Sequence, residues 1–329
     1  GGATAEGQKE VLYSYGITED YVGCPVLSSM DVVKIGVTEE NHDVFIDKYA
    51  AMADGIIVVG RIKPHTCFNG AYESGIMKMM AIGMGKQIGA SVCHAAGFGL
   101  MHRYIPMFGK AILKNAPIIC GIGIIENALH KPCKLIAMIP DEIITDEPKY
   151  LNEAKKRMPK IHFQNIDVLI IDRMGKDISG DGNDPYISGT FSTEYVHGGV
   201  NAKRVVTLDL TEKSHGNAAG VGMLDVITKR LYDKIDLEKI YVNAITSSEV
   251  KPVKIPMIAQ SDELAIQIAL HTCNNVDMDN FKVVRISDTL NISRILISEA
   301  LIDEAENNPN IVIRGTAEHM EFDDAGNLF

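Results

Sequence analysis

Apolar and polar positions along this chain follow two periods, and the switching between them predicts its layout. Short runs of β-branched residues at 31–36, 55–60, 117–125, 134–139, 166–171, 202–210 and 282–286 are bounded by turn residues and predict strands, the one at 55–60 expected to be covered on both faces. Between them lie stretches at helical spacing: 5–15, 44–52 with Phe45, Tyr49 and Met52 on one side, 146–158, 221–232, 237–244, 262–273 and 293–304. Phe98, Met101, Ile105, Phe108 and Ile112 form a further stripe that predicts a core-facing helix, with His102 and Arg103 off it and solvated. The alternation predicts an α/β fold: two α/β domains with mainly parallel sheets, right-handed crossovers and an interdomain cleft. Pro159 ends the charged 146–158 segment, so the first domain is expected over 1–160 and the second over 161–311. Residues 312–329, polar and turn-rich, are expected to run back to the first domain.

The densest chemistry lies at 55–99. A strand ending at Gly60 opens into Arg61, Lys63 and His65, with Pro64 keeping the segment extended. Ligands in open α/β sheets sit at such strand ends. The following segment, 74–85, is apolar and Met-rich apart from Lys78. On a helix Lys78 shares its face with Ser74, Gly75, Ala81 and Ile82, so no carboxylate stands three or four positions away. Such a lysine either snorkels to solvent or, where desolvated, favours its neutral nucleophilic amine, the state in which a lysine forms covalent bonds. His94 follows among small residues (Val92-Cys93-His94-Ala95-Ala96-Gly97) that would let a bulky group approach.

Composition removes several function classes. A net charge of −11 with no basic block argues against nucleic acid. Six cysteines with no C-x-x-C pair argue against iron-sulfur, zinc and disulfide frameworks. No apolar run reaches membrane-spanning length, and a cytoplasmic location is expected, with no membrane partner. The glycine-rich 121–124 lacks G-x-G-x-x-G spacing and does not predict a dinucleotide site. The loop 174–185 has calcium-like Asp and Asn spacing without the closing Glu; Lys176 is its candidate for a substrate carboxylate. His215, in a second polar strand-end loop, is a reserve acid/base candidate. The helix at 5–15 follows directly on a glycine turn without an initiating Met, so the sequence is expected to begin at a cut.

Taken in order, Lys63-Pro64-His65, Ser74-Gly75-Ile76-Met77-Lys78 and His94, sixteen residues beyond the lysine, resemble the nickel-dependent lactate racemase family. The interval from His65 to Lys78 is a few residues longer than in the lactate enzymes, which points to a substrate other than lactate. The resemblance implies that Lys78, flanked by Ser74 and Gly75, carries a nickel-pincer nucleotide, that His94 ligates the nickel and that His65 is an acid/base. It implies a 2-hydroxy acid racemase or epimerase, with the acid and the cofactor-making enzymes as partners. Arg61 and Lys176 are candidates for the substrate. The acid/base for the opposite face is His215 or a residue upstream of Gly1; the family's second-domain lysine and glutamine motif has no match here. The C2 hydrogen of such an acid is not acidic beside an ionised carboxylate, so removing it as hydride needs an electron sink that side chains lack. Sulfur and imidazole donors suit nickel. Two other readings stand beside this one: a lysine Schiff-base lyase or aldolase without metal, and a non-catalytic protein that binds a small acid or nucleotide.

Overall fold

The computed structural model describes residues 4–328, which form two compact units. The first comprises the chain up to Asn127 together with Lys131–Met158, and the second comprises Ala128–His130 with Pro159 onward. Both are α/β; parallel pairings dominate in the second unit, while in the first, one pairing is parallel and two are antiparallel.

In the first unit β1 (Val32–Val37) and β2 (Asp43–Asp47) form an antiparallel pair. The first half of the helix expected over 44–52 is therefore strand. Val44 and Ile46, two apart, are the residues driven inward, so the period of two overrides the helical spacing of Phe45, Tyr49 and Met52. Only Lys48–Ala51 remains helical, started by Asp47, whose Oδ1 accepts the N–H groups of Tyr49 and Ala50. The main sheet joins β3 (Ile56–Arg61), β4 (Ile118–Glu126) and β5 (Pro132–Met138) in that order. β3 and β4 are parallel, linked by the helical stretch that carries the candidate residues, and β5 returns antiparallel. The expected stripe is confirmed on the Met101–Asn115 helix, where Met101, Ile105, Phe108 and Ile112 are buried. The glycines of β4 make room for packing: a Cβ on Gly121 would stand 2.7 Å from Ile76 Cγ2, and one on Gly123 2.5 Å from Ile62 Cδ1. The Pro140–Arg157 helix packs against β4 with Ile143, Glu147, Leu151 and Ala154 inward.

The second unit holds a six-stranded sheet ordered β11-β10-β6-β7-β8-β9, with β6 (Asn165–Met174), β7 (Asn201–Leu210), β8 (Val226–Thr228), β9 (Met257–Ala259), β10 (Val283–Ile286) and β11 (Leu296–Ile297). β11 alone is antiparallel to its neighbour. β6 is covered on both faces, Leu169 and Ile171 entering one apolar cluster and Val168 and Ile170 the other. Two expected helices are broken here. The 221–232 segment holds a 3-10 turn, β8 and a short helix, Lys229–Asp233, because Val226 and Ile227 are needed by the sheet. The 293–304 segment likewise divides into β11, a 3-10 turn and Ile302–Glu306. β9 was not anticipated. Past residue 311, the stretch near the end closes on the second unit: Leu328 N–H donates to Asp262 and Arg230 Nη1 to Asn327. No described helix is long and apolar enough to cross a membrane.

Candidate functional site

Beyond β3 the chain buries Ile62 and then closes a loop on itself. Lys63 and Ser74 exchange backbone hydrogen bonds of 3.0 and 3.1 Å, pinching off residues 64–73. That loop is organised around a carboxylate. Glu73, 1% exposed, accepts the His65 N–H (2.8 Å) on Oε2, and the Gly70 N–H (3.0 Å) and Lys155 Nζ (2.6 Å) on Oε1. Its burial is tolerable because every one of these contacts replaces a lost water. Tyr72 adds a hydroxyl bond to the Ile144 carbonyl. Glu73 thus ties the His65 backbone to the Pro140–Arg157 helix.

The His65 ring is half-buried, 4.5 Å from Phe68 between ring centres. Its Nδ1 accepts the Cys67 N–H at 3.1 Å, so the neutral ring carries its proton on Nε2. Burial holds its pKa well below the ordinary histidine value, and the positive charges of Lys78 and, where protonated, His94 and Lys63 push the same way.

Lys78 ends the first turn of the next helix, Ile76–Lys78, which widens at once into a π-helical stretch, Met79–Met84. Such stretches are uncommon and recur at functional sites. The N–H groups at the helix start are met from another element: Glu147 Oε2 accepts the Met77 N–H at 3.0 Å, and its carboxylate also takes the Ile76 N–H. Gly75 is required there, since a Cβ would overlap Glu147 Oε1. Burial pushes the Glu147 carboxyl up to about 7 against the pull of those two amides. His94 closes the Lys86–His94 helix, half-buried, its ring edge-on to Phe98 at 5.7 Å and 77°. Its pKa is lowered by burial first and by Lys78 second. Cys93 beside it is inert: burial lifts its thiol to about 12 despite Lys78.

His65, Lys78 and His94 are therefore brought together, the lysine acting electrostatically on both rings, with Phe98 packed near each (6.2 Å from His65, 5.7 Å from His94). At neutral pH the cluster presents two uncharged imidazoles. Ser74 contributes its backbone and Gly75 its missing side chain. Arg61, exposed at the end of β3, pairs with Glu126 at 3.2 Å. Lys176 and His215 lie in the second unit, in the loops after β6 and β7. The Lys176 N–H donates to Ser214 Oγ (2.9 Å), its Nζ to the Gly180 carbonyl, and burial lowers its pKa. His215 is exposed, in left-handed conformation (φ 48°), its carbonyl accepting Lys239 Nζ.

Glu73, Glu147, Lys155 and Phe98 were missed. One signal could have found Glu147: it falls on the apolar stripe Ile143, Glu147, Leu151, where a glutamate is out of place unless partnered.

No group of three or more His, Cys, Asp or Glu among the described residues is placed to hold a metal unaided. A cofactor that brings its own metal donors asks less of the chain, namely a tether and one neutral ligand, and Lys78 and His94 fit those two needs. No protein-family model matches the chain, and no curated protein matches it. Among solved structures, a lactate racemase apoprotein from Thermoanaerobacterium thermosaccharolyticum is similar at 13% identity and a TM-score of 0.49, covering 85% of this chain and 73% of that one. A likeness of that size leaves the chemistry to the residues themselves.

Proposed function

We propose that this chain is a racemase or epimerase of a 2-hydroxy acid, with Lys78 tethering a nickel-pincer nucleotide and His94 completing the nickel coordination. The observation that supports the reading is the convergence of Lys78 with two histidines whose pKa values are lowered, His65 in the loop before the lysine's helix and His94 at the end of the Lys86–His94 helix that follows. The cofactor would supply the electron sink that receives the C2 hydrogen as hydride and gives it back. His94, uncharged near neutral pH, has a lone pair free for a metal. His65 presents Nε2–H and so donates to the substrate's C2 oxygen. To take up the hydroxyl proton, the ring would first shift its own proton from Nε2 to Nδ1, giving up the Cys67 N–H, and then accept on the freed Nε2, ending protonated at both nitrogens. Phe68 and Phe98 beside the ring limit water there. Arg61 and Lys176 are the candidate cations for the substrate carboxylate, and His215 the candidate for the opposite face.

Co-expression with the cofactor-making enzymes, followed by intact-protein mass spectrometry and chiral analysis of D- and L-2-hydroxy acids, tests this. The expected result is a mass increment located on Lys78 and interconversion of at least one enantiomeric pair. An unmodified Lys78 under those conditions overturns it. Borohydride trapping of a carbonyl substrate on Lys78 without nickel would favour a Schiff-base lyase instead, and tight binding of a small acid with no turnover would favour a binding protein.

A further inference from the structure

We propose that Glu147 is a positioning residue for Lys78: its buried carboxylate fixes the first turn of the helix bearing the amine and thereby sets where the amine points. The inference rests on Lys78 being the reactive group of the proposed function. A helix start leaves backbone N–H groups without intrahelical partners, normally met by the side chain of the residue just before it. Here that residue is Gly75, which has none, and Ile76 and Met77 donate instead to a glutamate seventy residues further along. Gly75 is what admits it, because any larger residue would occupy the carboxylate's place.

Glu147 is in turn held from below. It is 1% exposed, on the inward stripe of the Pro140–Arg157 helix between buried Ile143 and Leu151. The same helix holds the His65 loop twice, through Lys155 to Glu73 and through the Ile144 carbonyl to Tyr72. One rigid element therefore sets both His65 and Lys78, and their relative placement follows from the spacing of 144, 147 and 155 along it. An amide would cap those N–H groups without the penalty of burying a charge. A carboxyl that titrates near neutral pH caps them more or less strongly as its charge changes, and so transmits that change to the lysine. Tyr72 is the titratable group facing it, kept protonated because burial and the Glu147 charge both raise its pKa.

Competitive acylation of Lys78 by acetic anhydride, read by peptide mass spectrometry against exposed Lys114 as internal reference, tests this in wild type and Glu147→Gln across neutral pH. The expected wild-type profile has an inflection near pH 7 in relative Lys78 reactivity, absent from Glu147→Gln, with about threefold difference between the two proteins above it. Superimposable profiles overturn the proposal, since a carboxylate that merely fills space would leave the amine's pH response unchanged. Should Glu147→Gln not fold, hydrogen exchange at the Ile76 and Met77 amides of wild type decides. Protection beyond the intrinsic rate that falls as pH drops through 7 is expected, and pH-independent protection overturns the proposal. Acetic anhydride needs no cofactor, so a failure of nickel loading leaves this result standing.

Discussion

Loops leave the carboxyl ends of parallel strands in both units, and the loop after β3 and the pair of loops after β6 and β7 use their polar side chains in opposite ways. After β3, two glutamates, each 1% exposed, accept backbone N–H groups from the loop and the helix that follow. The ionisable side chains of His65, Lys78 and His94 then act on one another. After β6 and β7, side chains satisfy one another across the two loops: Thr211 Oγ1, after β7, bonds Asp177 of the β6 loop (2.5 Å) and Ser214 of its own (2.7 Å), and the Lys176 ammonium turns onto its own loop at Gly180. A strand end locates a site in general, but it becomes chemically loaded when buried acceptors take over the backbone around it.

The strongest way to break this contrast is Lys78→Ala. Covalent cofactor capture should vanish altogether in the intact mass, whereas Lys176→Ala should keep it. Next, Glu73→Ala strands the His65 and Gly70 amides and unpairs Lys155. Urea denaturation should show a loss of about 4 kcal/mol, since two part-buried N–H groups lose a charged acceptor at about 2 kcal/mol each while Lys155, itself partly exposed, regains water.

A pH effect follows in size. The Glu147 carboxyl titrates near 7 in the folded chain against 4.5 when free, so the folded state holds the extra proton between those values. The Glu147 contribution to stability is therefore fully present below 4.5 and falls by about 3 kcal/mol as pH rises through the window. Glu147→Gln should flatten that decline in pH-dependent urea titrations. His65 and His94 oppose it: their folded pKa values lie below 6.5, so their contribution is present above 6.5 and lost as pH falls beneath it. Smallest is Thr211→Val, which should cost about 1 kcal/mol by the same denaturation assay and leave Lys78 acylation unchanged.

Much of the scaffold was legible, because β6 and β7 are long apolar runs and the 101–115 stripe keeps one period over four turns. Short elements were not. Val44 and Ile46 give two buried positions of alternation, too few to outvote Phe45, Tyr49 and Met52 on a helical wheel. β8 and β9, three residues each, exist because the sheet accepts them and carry little local signal. At the site, His65, Lys78 and His94 could be singled out because polar groups in an apolar or small-residue setting are conspicuous. Glu73 and Lys155 could not, since an acid beside a loop and a lysine near the end of a charged helix look solvated until tertiary contact pairs them. Lys176 read as a cation free for a ligand, and its turn onto a carbonyl four residues ahead depends on loop geometry that sequence does not display.

The wide coil at Met79–Met84 has a consequence for how this segment can change. Each residue added to or removed from a helix rotates everything beyond it by about 100°. A π-helical coil takes up about one residue more than an α-helix over the same span, so loss of one residue within those six positions with relaxation to α winding nearly cancels that rotation, whereas an added residue does not. The segment is thus free to exchange its methionines for other apolar residues and to lose one position, and closed to gaining one.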